Sequence, residues 1–295
     1  MSRDGSYRRS VHSVVLGVAA AGGASALYNV GVALQAFEAR RAPGEEGLRP
    51  SLLIRLIRRP RWTAGLLLGV VGWPLQAAAL LLAPLTVVQP ALGIGLVLLL
   101  PIGARALGER VRARDAAAVL GLLAGVAVLA AAAPPLHGAH AGSARMAATL
   151  GVVGALALAP YAGGAALRPD GRLVALGAGA GFAWSGLSTK LFSDAVSAHH
   201  WLVALVFAVA TGLASGIAVL SESTALQRRP VTQVAPIVFA AQVLIPVAAA
   251  PIVLGEVWSG APLRAVGLAG GLALVLTAVT TLTRSRAVSG LTAAA

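Results

Sequence analysis

The sequence predicts an all-α fold, a polytopic membrane bundle of about nine transmembrane helices. Hydrophobic residues make up 58% of the 295 residues and charged residues only 11%, whereas charged residues are about 25% of a soluble domain. Glycine is abundant (35 residues) and aromatic residues are scarce (4%). Water supplies no force for burying apolar surface between membrane helices, so small residues that allow close backbone approach favour their packing.

The formal net charge of +13 does not point to nucleic acid, because the arginines lie in short segments between apolar runs. There they can meet anionic lipid headgroups and fix the orientation of the chain. The absence of cysteine excludes disulfide bonds, thiol catalysis and cysteine-based metal sites. The sequence carries no hydrolase or kinase motif, and we expect neither a cofactor nor an enzymatic activity.

A membrane-spanning helix needs about 20 mostly apolar residues, and nine segments of the chain meet this requirement. They are 14–37, 62–83, 86–104, 116–133, 147–167, 173–192, 201–220, 231–254 and 262–282. Little more than Pro84 joins the second and third segments, which predicts a tight helical hairpin. The fifth contains Pro160 and several glycines, breaks that membrane helices tolerate because neighbouring groups satisfy the freed carbonyls.

The longest connection between these segments, residues 38–61, carries an amphipathic stretch. Between Leu52 and Arg59, leucine and isoleucine alternate with arginine at helical spacing. This pattern predicts a short helix lying on the cytoplasmic leaflet. A solvated basic loop is the alternative that the pattern leaves open.

The basic residues orient the bundle. Of the 23 Lys and Arg residues, six fall on the side of the N-terminus: Arg3, Arg8, Arg9, Arg145, Lys190 and Arg264. The others fall on the opposite side, so the positive-inside rule predicts an external N-terminus and a cytoplasmic C-terminus in a multi-pass protein of the cell membrane. The first apolar segment is longer than that of a cleaved signal peptide, and we expect it to remain as a span.

Internal similarity is the most informative feature of the sequence. Each half carries three prolines followed by a Leu-Gly-Glu turn, and the copies are 145 to 147 residues apart. The marks are Pro84, Pro90, Pro101 and Leu107-Gly108-Glu109 in the first half, and Pro230, Pro236, Pro246 and Leu254-Gly255-Glu256 in the second. We interpret Gly108, Glu109, Gly255 and Glu256 as structural turns, in which the acid accepts backbone N–H groups of the following helix.

The two turns end the third and the eighth predicted helices, which are five spans apart, so the copies cross the membrane in opposite directions. This predicts two inverted repeats, residues 1–133 with helices one to four and residues 173–295 with helices six to nine. Residues 134–172, with helix five, connect them. Inverted repeats of this size are typical of transporters, because each half can adopt the conformation of the other.

The stretch Leu-Ala-Pro-Leu-Thr-Val-Val-Gln-Pro at 82–90 and the turn at 107–109, with their second-half counterparts at 226–236 and 255–256, resemble the drug/metabolite transporter (DMT) superfamily and its EamA-like members. The resemblance covers about residues 17–282 and implies paired four- or five-helix repeats. The tenth helix common in metabolite exporters is absent from the predicted set. Nine spans, together with Gly-Gly-Ala-Ser at 22–25, are similar to the NIPA-like magnesium-transporter branch instead.

Polar side chains inside a bilayer are costly and therefore mark candidate sites. The substrate or coupling-ion candidates are Asn29, Gln76, Ser185, Ser188, Lys190, Glu222 and Gln242. At the repeat spacing of 146, Glu222 corresponds to Gln76, which predicts a polar pair facing a shared central cavity. Alternative roles stay open: an ion pair of Glu222 with Arg228 or Arg229, snorkelling of Lys190 to water, and interhelical hydrogen bonds by the amides.

Transport of a small organic solute by alternating access is the function that these features favour. A permease for Mg²⁺ or another divalent cation is the first alternative, although such an ion prefers carboxylate ligands and only Glu222 and Glu38 lie near the membrane interior. A non-transporting scaffold or accessory subunit is the second. No metal site is predicted, because His137 and His140 lack a third ligand. The expected partners are the substrate and a bilayer with anionic headgroups, not nucleic acid; a homodimer remains open.

Overall fold

A computed structural model of the protein describes residues 3–42, 47–83, 85–108, 111–132, 143–162, 169–254 and 262–284. These residues form helices and turns and contain no strand, which confirms the all-α class. The helices are α1 (Arg3–Ala39), α2 (Pro50–Ile57), α3 (Pro60–Leu82), α4 (Leu85–Gly93), α5 (Gly95–Ala106), α6 (Ala113–Ala132), α7 (Ser143–Leu158), α8 (Gly171–Ser197), α9 (Trp201–Arg228), α10 (Val231–Leu254) and α11 (Pro262–Arg284), with a 3₁₀ turn at Ala159–Tyr161 after α7.

Several of these helices are long and apolar enough to cross a membrane. By length and composition the described residues contain four such stretches, Ser13–Ala39, Pro60–Leu82, Ala144–Tyr161 and Trp201–Arg228. On α9, Leu202 and Leu213 are 76% and 65% exposed, as expected for side chains that face lipid rather than water. The prediction of a membrane protein is supported in this coarser form, and the count of nine spans stays a prediction.

The third predicted segment is not one helix. It is divided into α4 and α5 at Ile94, where a side chain from α1 enters the break. The Ser25 hydroxyl donates a hydrogen bond to the carbonyl of Leu92 and accepts one from the N–H of Gly95 at 2.9 Å. A side chain inserted into the backbone ladder interrupts a helix in this way because it replaces the helical partners.

Two further elements refine the sequence-based boundaries. The amphipathic stretch is a helix, α2, and its Leu52 and Leu56 are buried against Trp62 and Leu220. Helix α9 continues to Arg228 rather than ending near Leu220. The sequence-based segment 201–220 left Glu222 at the end of the helix. In the structure Glu222 lies within the helix.

Close backbone contacts hold the helices in pairs. α1 packs along α3 and α8 along α9, the two most extensive helix pairs in the described part of the chain, and α6 packs along α11. A Cβ atom on Gly31 would lie 2.6 Å from the carbonyl oxygen of Gly65, and one on Gly65 would lie 2.5 Å from that of Gly31. Gly125 of α6 and Gly271 of α11 have the same reciprocal relation at 2.9 Å. Any larger residue would push these backbones apart.

Candidate functional site

The candidate site lies on a short polar segment of α9. Residues 221–224, Ser-Glu-Ser-Thr, are all buried although they sit in an otherwise apolar stretch. Two hydroxyls of the segment are satisfied from outside the helix. The Oγ of Ser221 lies 2.9 Å from the Oη of Tyr161, and the Oγ1 of Thr224 accepts the N–H of Leu48 at 3.0 Å.

Glu222 has no such partner, and among the described residues the buried hydroxyl of Ser223 next to it has none either. Its side chain is only 3% exposed, and no ion pair or hydrogen bond reaches its carboxylate from the described residues. By contrast, the Oε2 of Glu38, which is also buried, lies 3.3 Å from the Nη1 of Arg59. Burying a charged carboxylate without a partner costs several kcal/mol, so Glu222 requires either a proton or a bound cation.

The two arginines considered as partners of Glu222 are engaged elsewhere. Arg229 Nη2 pairs with Asp170 Oδ1 at 2.9 Å, and Arg228 Nη1 donates to the carbonyl of Pro169. Both contacts tie the end of α9 to the start of α8. The interfacial ion pair proposed for Glu222 from the sequence is therefore not found in the structure.

Asp170, next to the end of α9 and outside the candidate spans, has a shifted pKa. Its Oδ1 accepts the backbone N–H of Arg172 at 3.1 Å and so caps α8. The backbone hydrogen bond from Arg172 is the main cause that lowers the pKa of Asp170 below its ordinary value. Partial burial opposes it, and the hydrogen bond and charge of Arg229 lower the pKa further. The carboxylate is thereby held in its charged form beside the end of α9.

Gln76, the sequence counterpart of Glu222, is hydrogen-bonded through its side-chain oxygen. Its Oε1 accepts a hydrogen bond from the hydroxyl of Tyr28 at 2.7 Å across the α1–α3 contact. In the α8–α9 pair, Ala218 precedes Glu222 by one helical turn and lies against Gly181 of α8, where a Cβ atom would be 2.9 Å from the Cβ of Ala218. A glycine at that place offers no side-chain donor.

Asn29 belongs to the break between α4 and α5. Its Nδ2 donates to the backbone carbonyl of Ser25 at 2.8 Å, and Ser25 in turn bridges Leu92 and Gly95. The structure therefore places Asn29 beside Ser25. Its contacts support the helix break.

Ser185 and Ser188 lie on a hydroxyl-rich face of α8. Ser185 Oγ is 2.9 Å from Ser215 Oγ of α9, whereas the fully buried Ser188 hydroxyl has no hydrogen-bond partner among the described residues. One turn along, Trp73 Nε1 of α3 donates to Thr189 Oγ1 at 3.1 Å. This face joins α8 to α3 and α9.

Lys190, Gln242 and the residues of the two turns remain to be placed. Lys190 forms an ion pair with Asp194 of the same helix, with both side chains partly exposed, and Gln242 is half-buried on α10. Gly108 follows α5 with a φ of 66°, a left-handed conformation that glycine adopts freely. Glu109, Gly255 and Glu256 lie outside the described residues.

Sequence reasoning missed the side chains that complete the polar contacts. Tyr28, Tyr161 and Thr224 each bring a hydroxyl to a partner more than 45 residues away. Their only signal in the sequence is a hydroxyl within an apolar helix, which many packing residues share.

Comparison with known proteins gives one local similarity. Over 74 residues the chain is 39% identical to an uncharacterized protein of Corynebacterium glutamicum, and the match covers 25% of this chain and 26% of that protein. The chain thus matches about a quarter of the length of this relative. No protein-family profile matches the chain, and no solved structure matches it. The resemblance to the DMT superfamily remains a proposal.

Proposed function

We propose that the protein is a secondary transporter of the drug/metabolite type, which moves a small organic solute across the cytoplasmic membrane by alternating access. The observation that carries the proposal is Glu222, a carboxylate buried within a candidate span and without a partner in the described residues. Such groups mark substrate or ion pathways, because their burial is costly unless function retains them. Glu222 is then the group that exchanges a proton or a substrate cation.

An inverted repeat is supported by the residues at which the helices cross. Gly125 and Gly271, which touch reciprocally, are 146 positions apart. A Cβ atom on Gly93 would clash with the ring of Phe239, again 146 positions away. Two positions exchanged by a two-fold axis can touch each other only close to that axis. Both crossings thus favour the spacing that the proline and Leu-Gly-Glu marks predict.

Other contacts come in matching pairs. α1 approaches the α4–α5 break where Ser25 meets Gly95, and α8 approaches α10 where Gly179 meets Ala241, with a distance of 2.5 Å for an added Cβ. Gly95 and Ala241 are also 146 positions apart, whereas Ser25 and Gly179 are 154 apart, so the two contacts match only when α8 is aligned to α1 with a further shift of eight residues. Halves with equivalent contacts can exchange conformations, which is the basis of alternating access.

Flux measurements in proteoliposomes test the proposal. Uptake and efflux of labelled amino acids, pooled metabolites and Mg²⁺ are compared with and without a pH gradient, in wild type and Glu222→Gln. In wild type we expect the pH gradient to drive flux of an organic solute. In Glu222→Gln we expect this gradient-driven flux to fall about tenfold or more, which corresponds to about 1.4 kcal/mol. Asp194→Asn, which removes a partly exposed acid from α8, is the control and should retain it.

Other outcomes would redirect the assignment. Flux of Mg²⁺ alone would replace the organic-solute transporter by the cation permease. Folded protein without flux under any condition would contradict transport and favour the scaffold. Equal gradient dependence in wild type and Glu222→Gln would remove Glu222 from the mechanism.

A further inference from the structure

Helix α2 divides its circumference into three strips. Leu52 and Leu56 form the first and are buried against Trp62 and Leu220. At 100° per residue, Ile54 and Ile57 lie together on the second, and they are 59% and 52% exposed. Burial of the leucines by the protein leaves this second apolar strip without cover.

The third strip is basic. Arg55 and Arg58 lie beyond the isoleucines on the exposed side of α2. No ion pair engages Arg58 within the described part of the chain. An apolar strip beside a cationic one matches the boundary between acyl chains and anionic headgroups, where such helices lie.

The position of α2 agrees with that boundary. Only Arg58 and Arg59 separate it from α3, whose residues Pro60–Leu82 form a candidate span. A helix joined so closely to the end of a span is held at the level of the lipid headgroups. The partner that fits is therefore a phospholipid of the same membrane with a negatively charged headgroup.

The segment also touches the candidate site from two sides. Leu52 and Leu56 pack with Leu220, two residues before Glu222. The N–H of Leu48, just before α2, bonds to Thr224, two residues after it. Leu48 has a φ of 60°, a strained conformation for leucine that surrounding contacts must maintain.

We propose that α2 is a docking surface for anionic phospholipid, with Ile54 and Ile57 among the acyl chains and Arg55 and Arg58 on the headgroup phosphates. Binding holds α2 and Leu48 against α9 and so regulates the site at Glu222. The regulatory part rests on the proposed transport function, whereas the docking does not.

Hydrogen–deuterium exchange of the full-length protein in nanodiscs tests the docking without any substrate. The discs contain phosphatidylcholine alone or phosphatidylcholine with phosphatidylglycerol, and the amides of residues 51–57 are followed. A basic residue at an anionic surface contributes about 1 kcal/mol, roughly fivefold. We expect phosphatidylglycerol to slow exchange, and Arg58→Gln to reduce that slowing about fivefold. Arg112→Gln, at an exposed arginine before α6, is the matched control and should have no effect on α2.

Equal exchange of α2 in the two lipids, or an equal effect of Arg58→Gln and Arg112→Gln, would overturn the docking. Slowing by soluble glycerol phosphate in phosphatidylcholine discs would also overturn it, because a free anion would then suffice. Ile54→Ser/Ile57→Ser should abolish the lipid effect, and persistence of that effect would reject the apolar strip.

Flux in the same two lipids tests the regulation. Wild type should transport faster with phosphatidylglycerol and Arg58→Gln should lose that difference; equal flux would overturn the regulatory part. Absence of flux in every lipid would contradict the transport function, while the exchange result would still decide the docking.

Discussion

The α1–α3 and α8–α9 pairs are the two most extensive helix contacts of the described chain, but the polar residues Gln76 and Glu222 within them have different surroundings. In the first pair, Gln76 receives a hydrogen bond from Tyr28. In the second, the proposed repeat relates Glu222 to Gln76, and the contact one helical turn before Glu222 is made on α8 by Gly181, which has no side chain. The first pair is a satisfied packing contact, and the second retains a carboxyl group that nothing in the described chain neutralises.

This difference shows how one architecture can serve both stability and function. A hydrogen-bonded amide stabilises a helix pair at little cost, because its donor and acceptor remain paired. A buried carboxyl without a partner costs free energy and is retained where a ligand or proton compensates for it. If the proposed transport function holds, the first half supplies a hydrogen-bonded packing contact and the second half the carboxyl group that exchanges a proton or a cation.

The largest expected effect comes from moving the carboxylate between the halves. Glu222→Gln should lose gradient-driven flux, and adding Gln76→Glu should not restore it. The reason is that Tyr28 donates a hydrogen bond at position 76, so the new carboxyl would have a partner that Glu222 lacks. Flux of the double variant in proteoliposomes measures this, and recovery would mean that the two halves are interchangeable.

The crossing of α6 and α11 should be equally sensitive in both halves. Gly125→Ala and Gly271→Ala each place a Cβ 2.9 Å from a carbonyl oxygen of the other helix, so each should destabilise the fold by about 1–3 kcal/mol. Thermal unfolding in detergent measures the loss. Gly121→Ala, where an added Cβ meets no atom within 4 Å, should not destabilise, and unequal losses for the two crossing variants would argue against equivalent halves.

The Tyr28–Gln76 contact should behave as a coupled pair. Tyr28→Phe leaves the Gln76 oxygen buried without its donor, at a cost of about 1–3 kcal/mol. Gln76→Leu in the same background should recover most of that stability, because neither partner then remains unpaired. A double-mutant cycle measured by thermal unfolding gives the coupling energy, and additive losses would contradict the pairing.

The smallest expected effect concerns Asp170 at the end of the α8–α9 pair. Because its pKa is lowered in the fold, its contribution is present above the unfolded pKa and is lost as pH falls through the folded pKa. Asp170→Asn keeps a capping side chain but removes the charge, so the loss should stay below about 1 kcal/mol at this exposed pair. Unfolding measured across acidic pH should show a flatter profile in the variant, and an unchanged profile would reject the ion pair.

The parts of the fold that depend on residues close together in the sequence could be predicted from the sequence. The helical class followed from long apolar runs, and α2 followed from leucine, isoleucine and arginine at helical spacing. The break at Ile94 was not predictable in the same way, because it depends on Ser25, 67 residues from Leu92. The full length of α9 was also missed, since the polar residues 221–224 resemble the end of a span until their buried surroundings are known.

The candidate site was likewise predictable only in part. Composition and order alone made Glu222 a candidate, because a carboxyl group in an apolar run is costly wherever the chain folds. Whether it had a partner depended on where Arg228 and Arg229 pointed, and tertiary packing directed them to Pro169 and Asp170. Residue type thus determined the energetic cost at this position, and only the three-dimensional arrangement decided that nothing within the described chain offsets it, because pairing depends on distances that sequence separation does not fix.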